Sequence, residues 1–203
     1  MIKEGIKKWA YGALIASILS AAPIDSALAD AKSGLETRVE SAHSHAVPQK
    51  KKKFLYKTDN FRTDSERVLL ARMLYGEARN CSNTEKVAIA YTAVNRAHDK
   101  KAWNGKTVKG AILKPWQYSC FNHNDPNRKQ LKNPEAYSPK AFYTCLKIAK
   151  GVLSEKFRDP AKATHYYNPA AVKNKPNWAY TTKKIGRIRT EAGKSKHVYY
   201  RES

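Results

Sequence analysis

Apolar residues recur at helical spacing through the first part of this chain. The segment 63–66 (TDSE) fits a capping box, so a helix is expected to begin there and to continue to about Arg79. A second box at 82–85 (SNTE) predicts a helix that ends near Asp99. A short helix is expected over residues 108–113. Helices therefore dominate the first part of the expected fold.

The later part of the chain changes to alternating, aromatic segments. Before that change, Ser138 as N-cap and Pro139 at the first helical position predict a long helix to about Lys156. The segment 114–121 (KPWQYSCF) is typical of a loop that leads into a strand. Strand candidates follow at residues 164–168, 185–189 and 198–201. The expected fold class is α+β, mainly helical with a small late antiparallel sheet.

The first 29 residues have the features of an export signal. A lysine-rich start precedes the apolar segment 9–22, and the segment 27–29 (ALA) has the small-x-small pattern of a cleavage site. Cleavage there leaves Asp30 as the new terminus. An uncleaved membrane anchor is the alternative. Export predicts a location in the periplasm, in the cell wall or outside the cell.

A polar segment separates the predicted signal from the folded part. Residues 30–60 are poor in large apolar side chains and include the lysine run 50–53. Such a segment buries too little apolar area to offset the entropy of ordering it. We therefore expect a flexible basic linker at 30–60 and a single folded domain at 61–203.

The charge of the chain indicates an anionic partner. Lysine and arginine total 39 against 17 acidic residues, which gives a net charge of +22. Nucleic acid, a membrane surface and a bacterial wall all have the matching charge. The sequence has no helix-turn-helix, RNP-like or zinc-finger pattern, and the export signal contradicts a nucleic-acid partner. An anionic wall or membrane surface is therefore the expected contact.

One acidic residue interrupts the apolar stripe of the first predicted helix. At about 100° per residue, Glu77 shares a stripe with Leu70, Met73 and Leu74. Arg72 and Arg79 fall on the opposite side. Apolar surroundings and the nearby helix C-terminus both favour a protonated carboxyl group, which is what a general acid requires. A glutamate at the edge of the core, bonded to a distant arginine, explains the position equally well.

At these residues the chain resembles the SleB-type cell wall hydrolase family, whose type is the spore cortex-lytic enzyme. The similar segments occur in order along the chain: 70–79 (LARMLYGEAR), 94–96 (VNR), 117–120 (QYSC), 163–169 (ATHYYNP), Trp178, 185–186 (IG) and 197–199 (HVY). Each segment is weak alone, but the ordered set is fairly specific. A basic insertion at 187–196 departs from the family pattern.

The resemblance implies a lysozyme-like catalytic domain that cleaves the MurNAc–GlcNAc bond of peptidoglycan. The glutamate of the family's glycine–glutamate–alanine–arginine motif is its catalytic acid, and Glu77 holds that position here. The usual reaction of the family is lytic transglycosylation, which leaves 1,6-anhydro-muramic ends. The upstream binding repeats of many spore enzymes are absent from this sequence, which argues against specificity for the spore cortex.

Sugar rings bind against aromatic faces with polar groups beside them. The motif segments offer such side chains as candidate substrate contacts: Gln117, Tyr118, Ser119, Tyr166, Tyr167, Asn168 and Trp178. Core packing is an equal explanation for any single tyrosine. No cofactor or metal is expected, because His165 has no partner at ligand spacing. A monomer is expected.

Two alternatives remain open at this point. A hydrolysing muramidase needs a second carboxyl group, and Asp125 is the best candidate, although an aspartate before proline first suggests a turn. A transglycosylase needs only one. The other alternative is a cationic protein that binds the wall without catalysis.

Export also makes a disulfide possible. A bond between Cys120 and Cys145 would close a loop onto the long predicted helix. A crosslink at Cys81, just after the helix that carries Glu77, would restrict the candidate site. We therefore expect a Cys120–Cys145 disulfide and a free Cys81.

Overall fold

The computed structural model describes residues 53–99 and 101–202. The predicted export signal and most of the predicted linker lie outside these residues. Within them, helices dominate and all but one of them precede the first strand of a small late sheet, so the α+β prediction is confirmed. No described helix has both the length and the apolar character needed to cross a membrane.

The described part of the chain forms the following regular elements. The α-helices are α1 (Glu66–Ala78), α2 (Asn83–His98), α3 (Val108–Leu113), α4 (Arg128–Lys132), α5 (Pro134–Tyr137), α6 (Pro139–Leu153) and α7 (Trp178–Thr181). The strands are β1 (His165–Tyr167), β2 (Lys183–Gly186), β3 (Arg189–Thr190), β4 (Gly193–Lys194) and β5 (Val198–Arg201). Short 3-10 helices occupy Phe61–Thr63 and Ser119–Phe121.

Helix α1 forms the centre of the domain and packs against α6, α2 and α3. It begins later than the predicted capping box because Ser65, not Thr63, is the N-cap, and the Ser65 hydroxyl accepts a hydrogen bond from the Val68 N–H at 3.4 Å. Most of the helix is buried on all sides. The side opposite the apolar stripe, which includes Arg72, is therefore also buried over the middle of the helix.

Arg72 shows why that side is buried. Its Nε donates to Asp64 Oδ2 at 2.7 Å, and its Nη2 donates to the Tyr56 carbonyl at 2.6 Å. Arg72 also donates to the Leu131 carbonyl. A wholly buried guanidinium is tolerated because it is paired and hydrogen-bonded. Since Tyr56 takes part, the contacts of the domain begin before Phe61, where we expected the fold to start.

Helix α2 begins at the predicted cap but uses its glutamate differently. The Ser82 hydroxyl accepts from the Glu85 N–H at 3.2 Å, as in a capping box. The Glu85 carboxylate instead accepts from the His197 backbone N–H at 2.9 Å. Later in the helix, the half-buried Asn95 side chain donates to Asp159 and to the Ala163 carbonyl, so both bonds of its amide nitrogen are satisfied.

The segment 114–121 does not lead into a strand. Its end forms the short 3-10 helix Ser119–Phe121, which packs against α1. At Gly76 the approach is so close that an added Cβ would lie 2.6 Å from the Cβ of Cys120. A glycine at position 76 therefore allows the 3-10 helix to approach α1 this closely. The segment packs on α1 instead of pairing as a strand.

The late sheet has the order β1-β5-β2, and both pairings are antiparallel. Tyr166 lies opposite Tyr199 in the register of β1 and β5. The predicted strand 185–189 is divided: β2 ends at Gly186, whose φ of +101° suits glycine, and Arg189 pairs with Lys194 in a separate hairpin. The hairpin accounts for most of the basic insertion.

The disulfide prediction is wrong, because all three cysteines are free thiols. Cys120 packs against Gly76 of α1, whereas Cys145 lies within α6 among the charges of Lys86 and Arg79. Burial raises the pKa of the Cys145 thiol to about 12, and burial together with the nearby Glu77 raises that of Cys120. Both thiols behave as small core side chains.

Candidate active site

Glu77 lies in the last turn of α1, half-buried, at the junction of three elements. Its Oε2 accepts a hydrogen bond from the Tyr166 hydroxyl of β1 at 3.1 Å. Its Oε1 accepts from the Cys120 backbone N–H of the 3-10 helix at 3.4 Å. Neither donor is an arginine, and Arg79 instead bonds Gln130 and Asn127. The alternative of an arginine-bonded core glutamate is therefore not what the structure shows.

Glu77 faces a cavity of about 510 Å³. Four other predicted site residues also line it, namely Ser119, Tyr166, Tyr167 and Asn168. The remaining lining residues are Gly76, Ala78, Arg79, Asn80, Cys81, Ala171, Val172, Lys196 and His197. Among the described residues of this lining, Glu77 is the one that carries a carboxyl group. The cavity thus combines one acid with hydroxyl, amide and aromatic groups.

The Tyr166 hydroxyl keeps its proton in this setting. Burial raises the pKa of Tyr166 well above its usual value, and the negative charge of Glu77 acts in the same direction. The Tyr166 ring packs edge-on against His197, with 5.1 Å between ring centroids. A protonated phenol held in this way is a fixed donor to the Glu77 carboxylate.

A buried glutamate–histidine pair supports this wall of the cavity. His197 Nδ1 lies 2.8 Å from Glu85 Oε1, which also accepts from the His197 backbone N–H. Burial alone would raise the pKa of Glu85, but these bonds from His197 outweigh burial and lower it. Cys81, Glu85 and His197 each place one potential metal-ligating atom within 4.8 Å of the others.

Three predicted substrate contacts do not line the Glu77 cavity. Tyr118 is 2% exposed, and its hydroxyl lies 3.1 Å from Thr92 Oγ1 inside the core. Trp178 packs in an aromatic cluster, with its ring centroid 5.4 Å from that of Tyr200. Gln117 is half-buried and lies before the 3-10 helix that reaches the cavity. Tyr118 is therefore a core residue, whereas Gln117 and Trp178 are half-buried and stay predicted substrate contacts outside this lining.

Asp125 forms the turn that its sequence context indicates. Its Oδ1 accepts from the Asn127 backbone N–H at 2.8 Å, and its carbonyl accepts from the Arg128 N–H at 3.1 Å. Asp125 is not among the residues that line the Glu77 cavity.

Sequence reasoning missed part of the lining. Cys81 comes four residues after Glu77, just past the end of α1, and the sequence indicated only that it lies near the site. His197 belongs to a motif segment, but its position depends on the pairing of β5 with β1. Lys196 belongs to the basic insertion, whose path no periodicity predicts.

A half-buried carboxyl group in a cavity lined by tyrosine, serine and amide side chains can act as a general acid on a polar ligand. The sequence profile of the Cell Wall Hydrolase family matches residues 81–200, which is more than half of the chain. The chain therefore belongs to the cell wall hydrolase family and is an enzyme of peptidoglycan degradation. The matched region begins after Glu77.

Two solved structures are similar to this chain. The catalytic domain of the germination-specific lytic transglycosylase SleB from Bacillus anthracis is 21% identical, with a TM-score of 0.46 over 68% of this chain and 96% of that one. The catalytic domain of the SleB protein of Bacillus cereus is also 21% identical, with a TM-score of 0.45 over 72% of this chain and 97% of that one. No functionally curated protein matches the chain.

Proposed function

We propose that this protein is an exported lytic transglycosylase that cleaves the MurNAc–GlcNAc bond, with Glu77 as its single acid and base. The observation that carries the proposal is the cavity itself, in which Glu77 is the one carboxyl group of the described lining. Hydrolysing glycosidases usually need two carboxyl groups across the scissile bond. A transglycosylase needs one, because the substrate supplies its own nucleophile.

In the first step, protonated Glu77 donates its proton to the glycosidic oxygen. The bond between that oxygen and the anomeric carbon of the muramic acid breaks, and positive charge develops on the sugar ring. The Cys120 N–H and the Tyr166 hydroxyl, which both donate to Glu77, stabilise the carboxylate that forms. The leaving chain departs with a hydroxyl group.

In the second step, the Glu77 carboxylate removes the proton from the 6-hydroxyl of the same muramic acid. The oxygen of that hydroxyl bonds the anomeric carbon and closes the 1,6-anhydro ring. The step returns Glu77 to its protonated form. Because the nucleophile belongs to the reacting ring, no water has to be positioned. Tyr167, Ser119 and Asn168 hold the sugar in the cavity through ring and hydrogen-bond contacts.

The hydrolytic alternative depends on Asp125, and its contacts argue against it. The Asp125 carboxylate is engaged by the backbone of its own turn and stands outside the cavity lining. The alternative of wall binding without catalysis does not account for an acid fixed by two donors. A zymogram on peptidoglycan-containing gel tests catalysis: a cleared band supports the proposal, and an intact gel under the folded protein contradicts it.

We also propose that residues 1–29 direct export and that the basic segment after them links this signal to the catalytic domain, whose contacts begin by Tyr56. The net charge of +22 suits contact with the carboxylates of a bacterial wall. Intact mass of the protein recovered from the exported fraction tests the cleavage site. A chain that begins at Asp30 supports the proposal, and a full-length chain contradicts cleavage.

Replacing Tyr166 with phenylalanine is expected to lower kcat about tenfold, because it removes a donor to the carboxylate that forms when Glu77 gives up its proton. The ring contact with His197 is retained, so KM and the unfolding temperature should change little. Steady-state kinetics on soluble glycan strands measure the effect. Tyr180→Phe, at an exposed residue outside the cavity, serves as the control. An unchanged kcat for Tyr166→Phe would show that this bond does not assist the reaction.

A further inference from the structure

We infer that a second groove, beside the Glu77 cavity, binds a further length of the same glycan strand, with Trp116 as its aromatic platform. The inference rests on the proposed function and extends it to the length of substrate that the enzyme recognises. The groove has a volume of about 490 Å³. Its lining includes Asn60, Phe61, Trp116, Phe121, Asn122 and Asn124.

The groove has the chemistry of a sugar-binding surface. Trp116 and the half-buried Phe121 supply aromatic surface, with the buried Phe61 packed behind Phe121, and the asparagines beside them supply amide donors and acceptors. Sites of this kind bind a sugar ring against an aromatic face and fix its hydroxyl groups with a few polar side chains. Trp116 is 81% exposed, so most of its ring is free to meet a ligand.

The backbone at Trp116 is strained in a way that packing does not explain. Its φ is +67°, in the left-handed region, which is sterically costly for a residue with a bulky side chain. Strain of this kind is usually imposed by packing or retained at functional sites. Because the side chain is largely exposed, core packing does not hold Trp116 in this conformation. The strain presents a large aromatic ring to solvent at the edge of the groove.

One short segment of the chain borders both the groove and the candidate active site. Ser119 lines the Glu77 cavity, the Cys120 N–H bonds Glu77, and Phe121 lines the groove. These are the three residues of one short 3-10 helix. The cavity and the groove therefore border the same three-residue element, and the inference is that one strand contacts both.

The charge of the groove also fits peptidoglycan. Arg62, Lys114 and Arg128 contribute cations to its lining, and stem peptides carry carboxylates. Asp59, the acid of the described lining, is paired with Lys132 at 3.3 Å. The positive lining favours a glycan that bears peptides over a neutral polysaccharide.

The test compares Trp116→Ala with Trp103→Ala, a matched variant at another exposed tryptophan, outside both the groove and the Glu77 cavity. Rates are measured on intact sacculi and on short muropeptide tetrasaccharides. We expect the ratio of the rate on sacculi to the rate on tetrasaccharides to fall about tenfold for Trp116→Ala, as expected for loss of one aromatic contact. For Trp103→Ala the ratio should equal that of the wild type. Equal ratios for the two variants would overturn the inference.

Trp116→Gly separates binding from folding. Glycine relieves the strain at positive φ, so this variant should unfold at a temperature no lower than Trp116→Ala. It should nevertheless show the same loss on sacculi. Long-strand activity at the wild-type level in Trp116→Gly would contradict the inference.

Co-sedimentation with sacculi, in a Glu77→Gln background that prevents digestion, gives a readout independent of catalysis. We expect Trp116→Ala in this background to leave several-fold more protein in the supernatant than Trp103→Ala. Equal sedimentation of the two overturns the inference. If the wild-type enzyme cleaves neither substrate, the proposed function fails, and sedimentation alone decides whether the groove binds glycan.

Discussion

Replacing Glu77 with glutamine is expected to reduce peptidoglycan cleavage by about 10²–10⁴-fold, the usual contribution of a general acid. The amide has nearly the same shape, and its oxygen can still accept a hydrogen bond from the Cys120 N–H or the Tyr166 hydroxyl. It cannot give a proton to the glycosidic oxygen. Turbidity clearing of a sacculus suspension measures the loss, and circular dichroism checks that the variant is folded.

Glu155→Gln is the matched control for this prediction. Glu155 is an exposed acid that follows α6 and stands outside the Glu77 cavity. Its replacement changes the net charge by the same amount, so any general charge effect appears in both variants. A folded Glu77→Gln protein that clears sacculi as fast as Glu155→Gln would end the assignment of Glu77 as the acid.

The largest effect on stability is expected at Asp64. Asp64→Ala removes the carboxylate that pairs with the wholly buried Arg72, which leaves its charge without a counterion. Breaking a buried pair on one side costs about 3–5 kcal/mol. The backbone carbonyls of Tyr56 and Leu131 still accept from Arg72, which favours the lower end of that range. Urea unfolding at neutral pH measures the change in the free energy of unfolding.

Asp59→Ala is the control for Asp64→Ala. Asp59 pairs with Lys132 at 3.3 Å, but its side chain is 86% exposed. Solvent screens such a pair, so its loss should alter the free energy of unfolding by about 0.5 kcal/mol or less. Similar small changes for both variants would show that Arg72 is solvated in the folded protein.

Elements with local capping were predictable from the sequence. Helix α3 occupies the predicted residues because Thr107 caps it, accepting from the Gly110 N–H at 2.9 Å. Helix α6 begins at Pro139 as expected, and β5 spans the predicted 198–201. Caps, prolines and alternating aromatics act within a few residues, so a single sequence contains them.

Positions that depend on distant partners were not predictable. Arg72 lies opposite the apolar stripe of α1, and its burial depends on partners outside that helix, among them Tyr56 and Leu131. Glu85 looked like part of a capping box, yet its partner His197 is 112 residues away. Helical periodicity contains no information on such pairings. In both cases a charged residue is buried by partners outside its own helix.

The candidate site also has a part that the sequence predicts and a part that depends on distant residues. The apolar stripe of α1 indicated Glu77, but its two donors, Cys120 and Tyr166, are 43 and 89 residues away. Tyr118 and Trp178 have the same residue types as true cavity aromatics, and only the fold places them in packed clusters. Composition identifies aromatic candidates without distinguishing a packed ring from one that meets the substrate.

Mass spectrometry of the fragments released from purified sacculi tests the central claim most directly. Transglycosylation predicts muramic ends that are one water lighter than reducing ends. Their number should equal the number of glycan bonds cleaved. These ends should be missing when Glu77→Gln is used. Fragments that carry only reducing muramic ends, with Asp125→Asn inactive, would instead show a hydrolysing muramidase that uses Glu77 and Asp125. Glycan strands that stay intact after prolonged incubation with the enzyme would contradict cleavage of the glycan altogether.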